Sequence, residues 1–410
     1  MLAMDATLGA QRVVSPVAVA DVRISTLAEA LRRARTAAPV AELARAQVAI
    51  ARGRVREETQ WANPELLYRR EDLNANTSVP GDIFAEASVP FPITGRRLAL
   101  RSAGGEAVAR ARADSTTLLA QLDADVATAW WAMLRAEALL EAMRSFRANV
   151  DSIAVYDSLR AAEGAIAEVV ALRARVEGDR ATLAEVTAAA EVARARATLA
   201  QLLALHADSL DASDRDAFTA LLPDAPTAPA TSTSNVAPLR RPELVAAEAA
   251  ERELRRRVQG ERWALVPDVT LNAGTKRTGP LRYTVLAVGM PFPIFNRNEG
   301  ARERAAGELL AAAATRRAVA QRMSREAEAA NAARLALRRT PPPRQLAARA
   351  ADAARIARAA YREGGIGQLE LLEAQRAAVA AREAIVRWAA EVRLADVAWR
   401  RATGQSQETP

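Results

Sequence analysis

The most regular pattern in the chain is a hydrophobic spacing that alternates between four and three residues. Residues 97–163 contain no proline, and one continuous helix over them would be about 100 Å long. A 4-3 spacing makes helices supercoil, so it predicts long coiled helices. The first seam consists of Leu122, Val126, Ala129, Met133, Ala136, Leu140 and Met143. A second seam near the C-terminus consists of Ile385, Trp388, Val392, Ala395 and Trp399.

Helical periodicity is lost in two places, and short segments typical of strands replace it. Val269, Leu271 and Ala273 alternate with polar or small residues, which is the period of a strand with one apolar face. The predicted strands cover about 65–72, 82–90, 268–277 and 281–290, and turn residues join each pair into a hairpin at 74–81 and 278–280. Their lengths approach the 9–11 residues that a tilted membrane strand needs.

The chain contains an internal duplication with an offset of about 200 residues. Residues 89–93 (VPFPI) are echoed by 290–294 (MPFPI), and residues 163–166 (EGAI) by 363–366 (EGGI). Trp61 pairs with Trp263, and Pro39 with Pro242, in the same order. We therefore interpret the chain as two copies of a unit that runs helix, strand, strand, long helix, turn and helix.

The duplication defines the predicted domain organisation. The first repeat covers 25–207, with a hairpin at about 65–90 and coiled helices at about 97–205. The second covers 240–403, with a hairpin at about 268–290 and coiled helices at about 298–403. A proline- and serine-rich linker occupies 208–239, and residues 404–410 form a tail. Residues 340–343 (TPPP) interrupt the long helix of the second copy and are expected to split it.

Composition excludes several classes of site. The chain of 410 residues has a formal charge of +8, no cysteine, one histidine (His206) and one lysine (Lys276). Thiolate and multi-histidine metal sites and cysteine nucleophiles are therefore excluded, and we expect no catalytic residues, cofactor or bound metal. The arginines are scattered among acidic residues as on a solvated helix face, so we expect no nucleic-acid partner.

The N-terminal segment, residues 1–24, has two interpretations: a leader or a disordered segment. Residues 17–20 (VAVA) end like a signal-peptidase site, but Asp5 and Arg12 interrupt the apolar core that a secretory signal needs. The start is therefore misassigned, or the leader is degraded or absent. No uncharged apolar run is long enough for a transmembrane helix.

These motifs together resemble the TolC family of outer-membrane efflux proteins, and within it the outer-membrane component of cobalt–zinc–cadmium type metal efflux systems. The resemblance covers about residues 25–403. It rests on the two PFPI corners, on residues 241–244 (RPEL) and on residues 361–375 (YREGGIGQLELLEAQ). It implies a mainly α fold with a membrane β-barrel part, in which a trimer builds an α-helical barrel and a shared 12-stranded β-barrel.

The resemblance also implies a function and a location. The trimer would be a passive conduit of the cell outer membrane that extends into the periplasm. It would carry metal cations or other small toxic compounds, with a periplasmic adaptor (membrane fusion) protein and an inner-membrane proton-driven pump as partners. A soluble coiled-coil scaffold or adaptor is the alternative, and it leaves the duplicated strand–corner–helix unit unexplained. An enzyme is disfavoured because no cluster of titratable residues has catalytic spacing.

Three groups of residues are expected to carry the function. The tips that meet the adaptor would be Gly164, Ala165, Ile166, Gly364, Gly365, Ile366 and Gly367. The periplasmic gate would be Tyr361, Glu370 and Glu373, since three-fold symmetry turns one glutamate into a ring of three. The corners between barrel and helix would be Pro90, Phe91, Pro92, Pro291, Phe292 and Pro293. Alternatively, the glycines only make the turns, and the two glutamates lie on a solvated helix face.

Overall fold

The computed structural model describes residues 23–71, 81–210, 219, 222, 241–266, 268–339 and 345–407. The fold is mainly helical with one small antiparallel sheet, so the predicted fold class is confirmed at this level. The elements are α1 (Leu27–Ala37), α2 (Pro39–Thr59), β1 (Glu65–Glu71), β2 (Asp82–Phe91), α3 (Arg96–Ala162), α4 (Glu168–Leu203), α5 (Pro242–Trp263), β3 (Val269–Thr278), β4 (Leu281–Gly289), α6 (Glu299–Arg339), α7 (Leu346–Arg362) and α8 (Gln368–Thr403).

The helix α3 is the axis around which the other helices pack. It has 67 residues and is therefore about 100 Å long. All seven residues of the predicted first seam are buried, which confirms that interpretation. Helices α1, α2, α4, α5 and α8 all contact α3, so helices from both halves of the chain cover it.

The largest apolar core lies where α1, α3, α4 and α8 meet. Leu31, Met133, Leu203 and Val386 come from these four helices and are fully enclosed. The helix α1 begins with a capping box, in which Thr26 Oγ1 accepts from the Glu29 amide and the Glu29 carboxylate accepts from the Thr26 amide. This core fixes α1 against the middle of α3.

The second predicted seam is only partly buried. Ile385 and Val392 are buried, but Trp388 and Trp399 are half-buried and turn towards α6. Trp388 Nε1 donates to the Leu337 carbonyl at 3.3 Å, and the Arg334 guanidinium lies 4.0 Å from the Trp399 ring centroid. The tryptophans therefore join α8 to α6, and Trp388 also packs against the α3 core.

The sheet has the order β1-β2-β3-β4, and every neighbouring pair is antiparallel. Its central pair, β2 and β3, joins segments from the two halves of the chain. Gly274 allows this close approach, because a Cβ there would lie 2.8 Å from Glu86 Cα and would also overlap the Ala85 carbonyl oxygen.

The register divides the sheet into two faces, because directly paired residues of an antiparallel ladder point to the same side. One side, here called the apolar face, carries Leu66, Tyr68, Arg70, Ile83, Ala85, Ala87, Val89, Phe91, Val269, Leu271, Ala273, Thr275, Arg277, Arg282, Thr284, Leu286 and Val288. The other side, the charged face, carries all four acidic residues of the strands: Glu65, Glu71, Asp82 and Glu86.

Several sequence-based interpretations fall partly outside the described residues. Residues 1–22, most of the 208–239 linker, the turn residues 72–80 and the prolines at 341–343 are among these. The helix α6 ends at Arg339 and α7 begins at Leu346, in agreement with the predicted split. None of the described helices combines the length and the apolar character needed to cross a membrane.

Candidate functional site

Two tight helix reversals lie far from the sheet, one between α3 and α4 and one between α7 and α8. In both, a glycine has a positive φ, +74° at Gly164 and +78° at Gly364. The following residue closes each turn, since the Ala165 amide donates to the Arg160 carbonyl and the Gly365 amide to the Ala360 carbonyl, both at 2.8 Å. These are glycine-terminated helix ends of the Schellman type.

The predicted tip residues form the surface of these two reversals. Gly164, Ala165, Gly364, Gly365 and Gly367 are exposed. The two isoleucines, Ile166 and Ile366, are half-buried, and Ile366 packs on the apolar cluster behind the turn.

A buried polar cluster, which we call the tip cluster, joins the two reversals through Asp157, Tyr361 and Gln368. The Tyr361 hydroxyl donates to Asp157 Oδ1 at 2.6 Å, and Gln368 Nε2 donates to Asp157 Oδ2 at 2.7 Å. Gln368 Nε2 also donates to the Val170 carbonyl at 2.7 Å, which extends the cluster to α4. Asp157 has no exposed surface. Its carboxylate therefore depends on these donors, because a buried charge without partners is costly.

Aromatic and apolar side chains surround the tip cluster. The Tyr361 ring packs edge-on against Tyr156, with centroids 6.1 Å apart, and on Ile153 and Leu371. The Arg160 guanidinium lies 5.5 and 5.8 Å from the two tyrosine centroids. Burial raises the pKa of Tyr361 above its ordinary value, and the hydrogen bond to Asp157 adds to this effect, so the hydroxyl stays protonated as a donor.

A second polar link joins α4 to α8 next to the tip cluster. Arg376 donates to Glu177 through Nε at 2.8 Å and through Nη2 at 2.5 Å, a two-point guanidinium–carboxylate pair. Glu177 is buried, whereas the Arg376 side chain is 47% exposed. The hydrogen bond from Arg376 lowers the pKa of Glu177.

The structure separates the three predicted gate residues. Tyr361 is buried in the tip cluster, whereas Glu370 and Glu373 lie on the exposed side of the first turns of α8. In the part of the chain that the structure describes, no group of three or more histidine, aspartate or glutamate side chains is arranged to hold a metal ion.

Sequence reasoning missed Asp157 and Gln368. The first seam, continued in steps of four and three beyond Met143, passes through Arg147, Val150 and Ala154 and reaches Asp157. A carboxylate at a core position of a coiled helix signals a buried polar partner, and this signal could have identified Asp157. Gln368 has no such signal, because its partners lie about 200 residues away in the sequence.

The predicted corners lie where the sheet meets the helices. Phe91 packs against Trp61 with ring centroids 5.5 Å apart, and the Arg97 guanidinium lies 4.0 Å from the Trp61 centroid. Trp263 lies against Gly95, where a Cβ would approach its ring to 3.0 Å. At the other corner Phe292 is 77% exposed. Both tryptophans therefore pack at the first corner, Trp61 on Phe91 and Trp263 on Gly95.

Known proteins share both sequence and fold with this chain. The family model described as outer membrane efflux protein matches residues 234–405. A fold of the same kind covers nearly the whole chain: VceC of Vibrio cholerae superposes with a TM-score of 0.74 at 18% identity, over 93% of this chain and 96% of that one. The C-terminal part of the chain is therefore similar in sequence to the outer membrane efflux protein family.

Two further known proteins are similar to this chain in different ways. CusC has the same fold, with a TM-score of 0.73 at 18% identity, over 93% of this chain and 92% of its own. The cobalt-zinc-cadmium resistance protein CzcC of Cupriavidus metallidurans is 30% identical over 241 residues, which are 58% of this chain. The match spans 56% of that curated relative, little more than half its length.

Proposed function

We propose that the protein is the outer-membrane channel component of a tripartite efflux system, a passive exit duct rather than an enzyme. The observation that carries the proposal is the attachment of a two-faced sheet to one end of a helix about 100 Å long, with paired helix reversals at the other end. A sheet with one exposed apolar face suits a lipid environment, and a helix of that length suits a span across the periplasm.

The match of residues 234–405 to the outer membrane efflux protein family supports a trimer as the working form. The four strands in the described part of the chain are too few to close a sheet, whereas three chains would supply twelve. The two outer strands, β1 and β4, would then pair between chains, so that no unpaired edge remains. The apolar face would meet lipid and the charged face would line the lumen, where Lys276 and Asp82 form an ion pair at 2.6 Å.

The tip cluster is proposed as the bond that holds the periplasmic end closed. Tyr361 of α7 and Gln368 of α8 donate hydrogen bonds to Asp157 of α3. Opening the periplasmic end would move α7 and α8 away from α3 and would therefore separate these donors from a buried carboxylate. Glu370 and Glu373 would form acidic rings around the aperture, and the exposed tips from Gly164 to Ile166 and from Gly364 to Gly367 would contact the adaptor.

The cargo and partners are proposed from the relatives. The name of CzcC refers to resistance to cobalt, zinc and cadmium, which supports metal cations as cargo. The duct would pass them, or other small toxic compounds, without coordinating them, because selection would reside in the adaptor and the inner-membrane pump.

The test is to express the full chain behind an export signal, separate inner and outer membranes, and record conductance of the extracted protein in planar bilayers. We expect the protein in the outer-membrane fraction, extraction only by detergent, and low conductance that rises when the tip cluster is weakened. Recovery in the soluble fraction as a monomer or dimer, with no conductance, would favour the alternative of a coiled-coil scaffold.

A further inference from the structure

A cavity of about 640 Å³ lies between the first turns of α3 and the last turns of α5, where these helices meet the sheet. Gly95 is four residues beyond the end of β2, and Trp263 ends α5 six residues before β3 begins. The Trp263 ring lies over Gly95, where a Cβ would approach it to 3.0 Å. The volume is within the range of about 300–1,000 Å³ that is typical of ligand pockets.

The wall of this cavity combines two cations with neutral polar groups and contains no carboxylate. Arg256, Gln259 and Arg262 line it from α5, and Ser102 lines it from α3. The two arginines are six residues apart on one helix, so their backbones are separated by about 9 Å. Arg256 Nη1 donates to Gln259 Oε1 at 3.4 Å, which leaves the other N–H groups of this guanidinium for a ligand.

The other three arginines of α5 lie outside the cavity, and each pairs with a glutamate. These pairs are Arg252 with Glu106 at 2.9 Å, Arg255 with Glu251 at 2.7 Å, and Arg257 with Glu253 at 3.1 Å. By contrast, Arg256 and Arg262 form no ion pair with any residue that the structure describes. The helix therefore neutralises its arginines outside the cavity and leaves positive charge inside it, which is complementary to an anion.

The position of the cavity relative to the sheet indicates the kind of anion. Under the proposed function the apolar face of the sheet is in lipid, so the junction of sheet and helices lies at the periplasmic surface of the outer membrane. Two apolar side chains of the cavity are exposed there, Leu98 at 73% and Trp263 at 51%. An exposed indole beside arginines is typical of a membrane–water interface, where the ring packs on lipid and the guanidinium reaches the headgroups.

We propose that this cavity binds the phosphate headgroup of an anionic phospholipid in the periplasmic leaflet of the outer membrane. The inference rests on the proposed function, which places the sheet in that membrane. Arg256 and Arg262 bind the phosphate oxygens, because a guanidinium donates two parallel hydrogen bonds to a phosphate. Leu98 and Trp263 cover the adjoining apolar part of the lipid and so remove apolar surface from water.

A phospholipid uses both features of the cavity, its charge and its exposed apolar side chains. A free phosphate ion would use the arginines alone, would fill only a small part of the volume, and would leave Leu98 and Trp263 in contact with water. The experiment therefore compares a phospholipid with its uncharged counterpart and with free phosphate.

The measurement is the amount of lipid retained by the detergent-solubilised full chain in native mass spectrometry. The probes are dioleoyl phosphatidylglycerol, dioleoylglycerol (the same acyl chains without phosphate) and inorganic phosphate as competitor. The test variants are Arg256→Gln and Arg262→Gln, and Arg255→Gln is the matched control, because it removes one charge from the adjacent position outside the cavity. Ser102→Phe keeps both arginines and fills the cavity from an exposed position, so it tests the site without a change of charge.

We expect phosphatidylglycerol to bind Arg256→Gln, Arg262→Gln and Ser102→Phe at least about tenfold more weakly than the unaltered chain. Arg255→Gln should bind it like the unaltered chain, and dioleoylglycerol should not distinguish the arginine variants. Equal binding of phosphatidylglycerol by all variants, an equal loss in Arg255→Gln, or displacement by inorganic phosphate at equal concentration would overturn the inference. A chain that needs no detergent and binds neither lipid would instead refute the proposed function.

Discussion

Removing the Tyr361 hydroxyl tests the tip cluster as the bond that closes the periplasmic end. Tyr361→Phe keeps the ring against Tyr156 and Leu371 but removes the 2.6 Å donor to Asp157. Gln368 continues to hold the other carboxylate oxygen at 2.7 Å. The substitution therefore weakens one link of the cluster without opening a large cavity.

The expected size follows from the charge and burial of the acceptor. A hydrogen bond to a charged group contributes about 1.5–3 kcal/mol, and Asp157 has no exposed surface that water could use instead. A loss of about 2 kcal/mol in the closed state changes the ratio of open to closed channels by roughly 30-fold. We expect open events in planar bilayers to become more frequent by about this factor, with a lower midpoint of thermal unfolding.

The matched control is Tyr156→Phe, which makes the same chemical change on the neighbouring ring of the same apolar cluster. A double-mutant cycle with Asp157→Asn should give a coupling energy above about 1 kcal/mol for Tyr361 and close to zero for Tyr156. The reasoning is refuted when Tyr361→Phe and Tyr156→Phe conduct alike, or when the cycle gives no coupling for Tyr361.

Three further predictions test other parts of the structure. Arg376→Gln should reduce the free energy of unfolding by about 1 kcal/mol at pH 7. Because Arg376 lowers the folded-state pKa of Glu177, the stability difference between the two proteins should have its full size above the ordinary glutamate pKa range and should disappear as the pH falls through the lowered pKa. A stability difference that stays constant in thermal unfolding from pH 7 to pH 3 would contradict this prediction. Gly164→Ala should destabilise by about 1–2 kcal/mol because of its φ of +74°, whereas the helical control Gly105→Ala, where a Cβ also meets nothing within 4 Å, should not destabilise in urea titrations. Leu286→Arg on the apolar face should reduce the free energy of folding into lipid vesicles by about 2–4 kcal/mol, whereas Ala287→Arg on the charged face should leave it nearly unchanged. Equal effects of the two substitutions would show that the faces are wrongly assigned.

The sequence pattern predicted the regular elements well, because each depends on neighbouring residues. The proline-free run at 97–163 corresponds to α3, and the first seam is buried from Leu122 to Met143. The predicted strands differ from the observed ones by one residue at most at any end. Proline, glycine and hydrophobic spacing act locally, so they were sufficient for these elements.

The tip cluster and the register across the sheet could not be predicted in the same way, because both depend on pairings between distant segments. Tyr361 aligned with the family's aperture in sequence, yet its hydroxyl turns inward to Asp157, 204 residues earlier. Arg70 and Arg277 share a row only through the register of β1, β2 and β3. The tryptophans of the second seam fit a heptad pattern, but the carbonyl of Leu337 and the cation of Arg334 draw them towards α6.

The most direct test of the account is electron cryomicroscopy of the full chain extracted in detergent from the outer membrane. The account predicts three copies around one axis, with twelve strands in a closed sheet at one end and a helical tube about 100 Å long that narrows at the Asp157–Tyr361 reversals. A monomeric or dimeric particle that stays in solution without detergent, with an open four-stranded sheet, would contradict it.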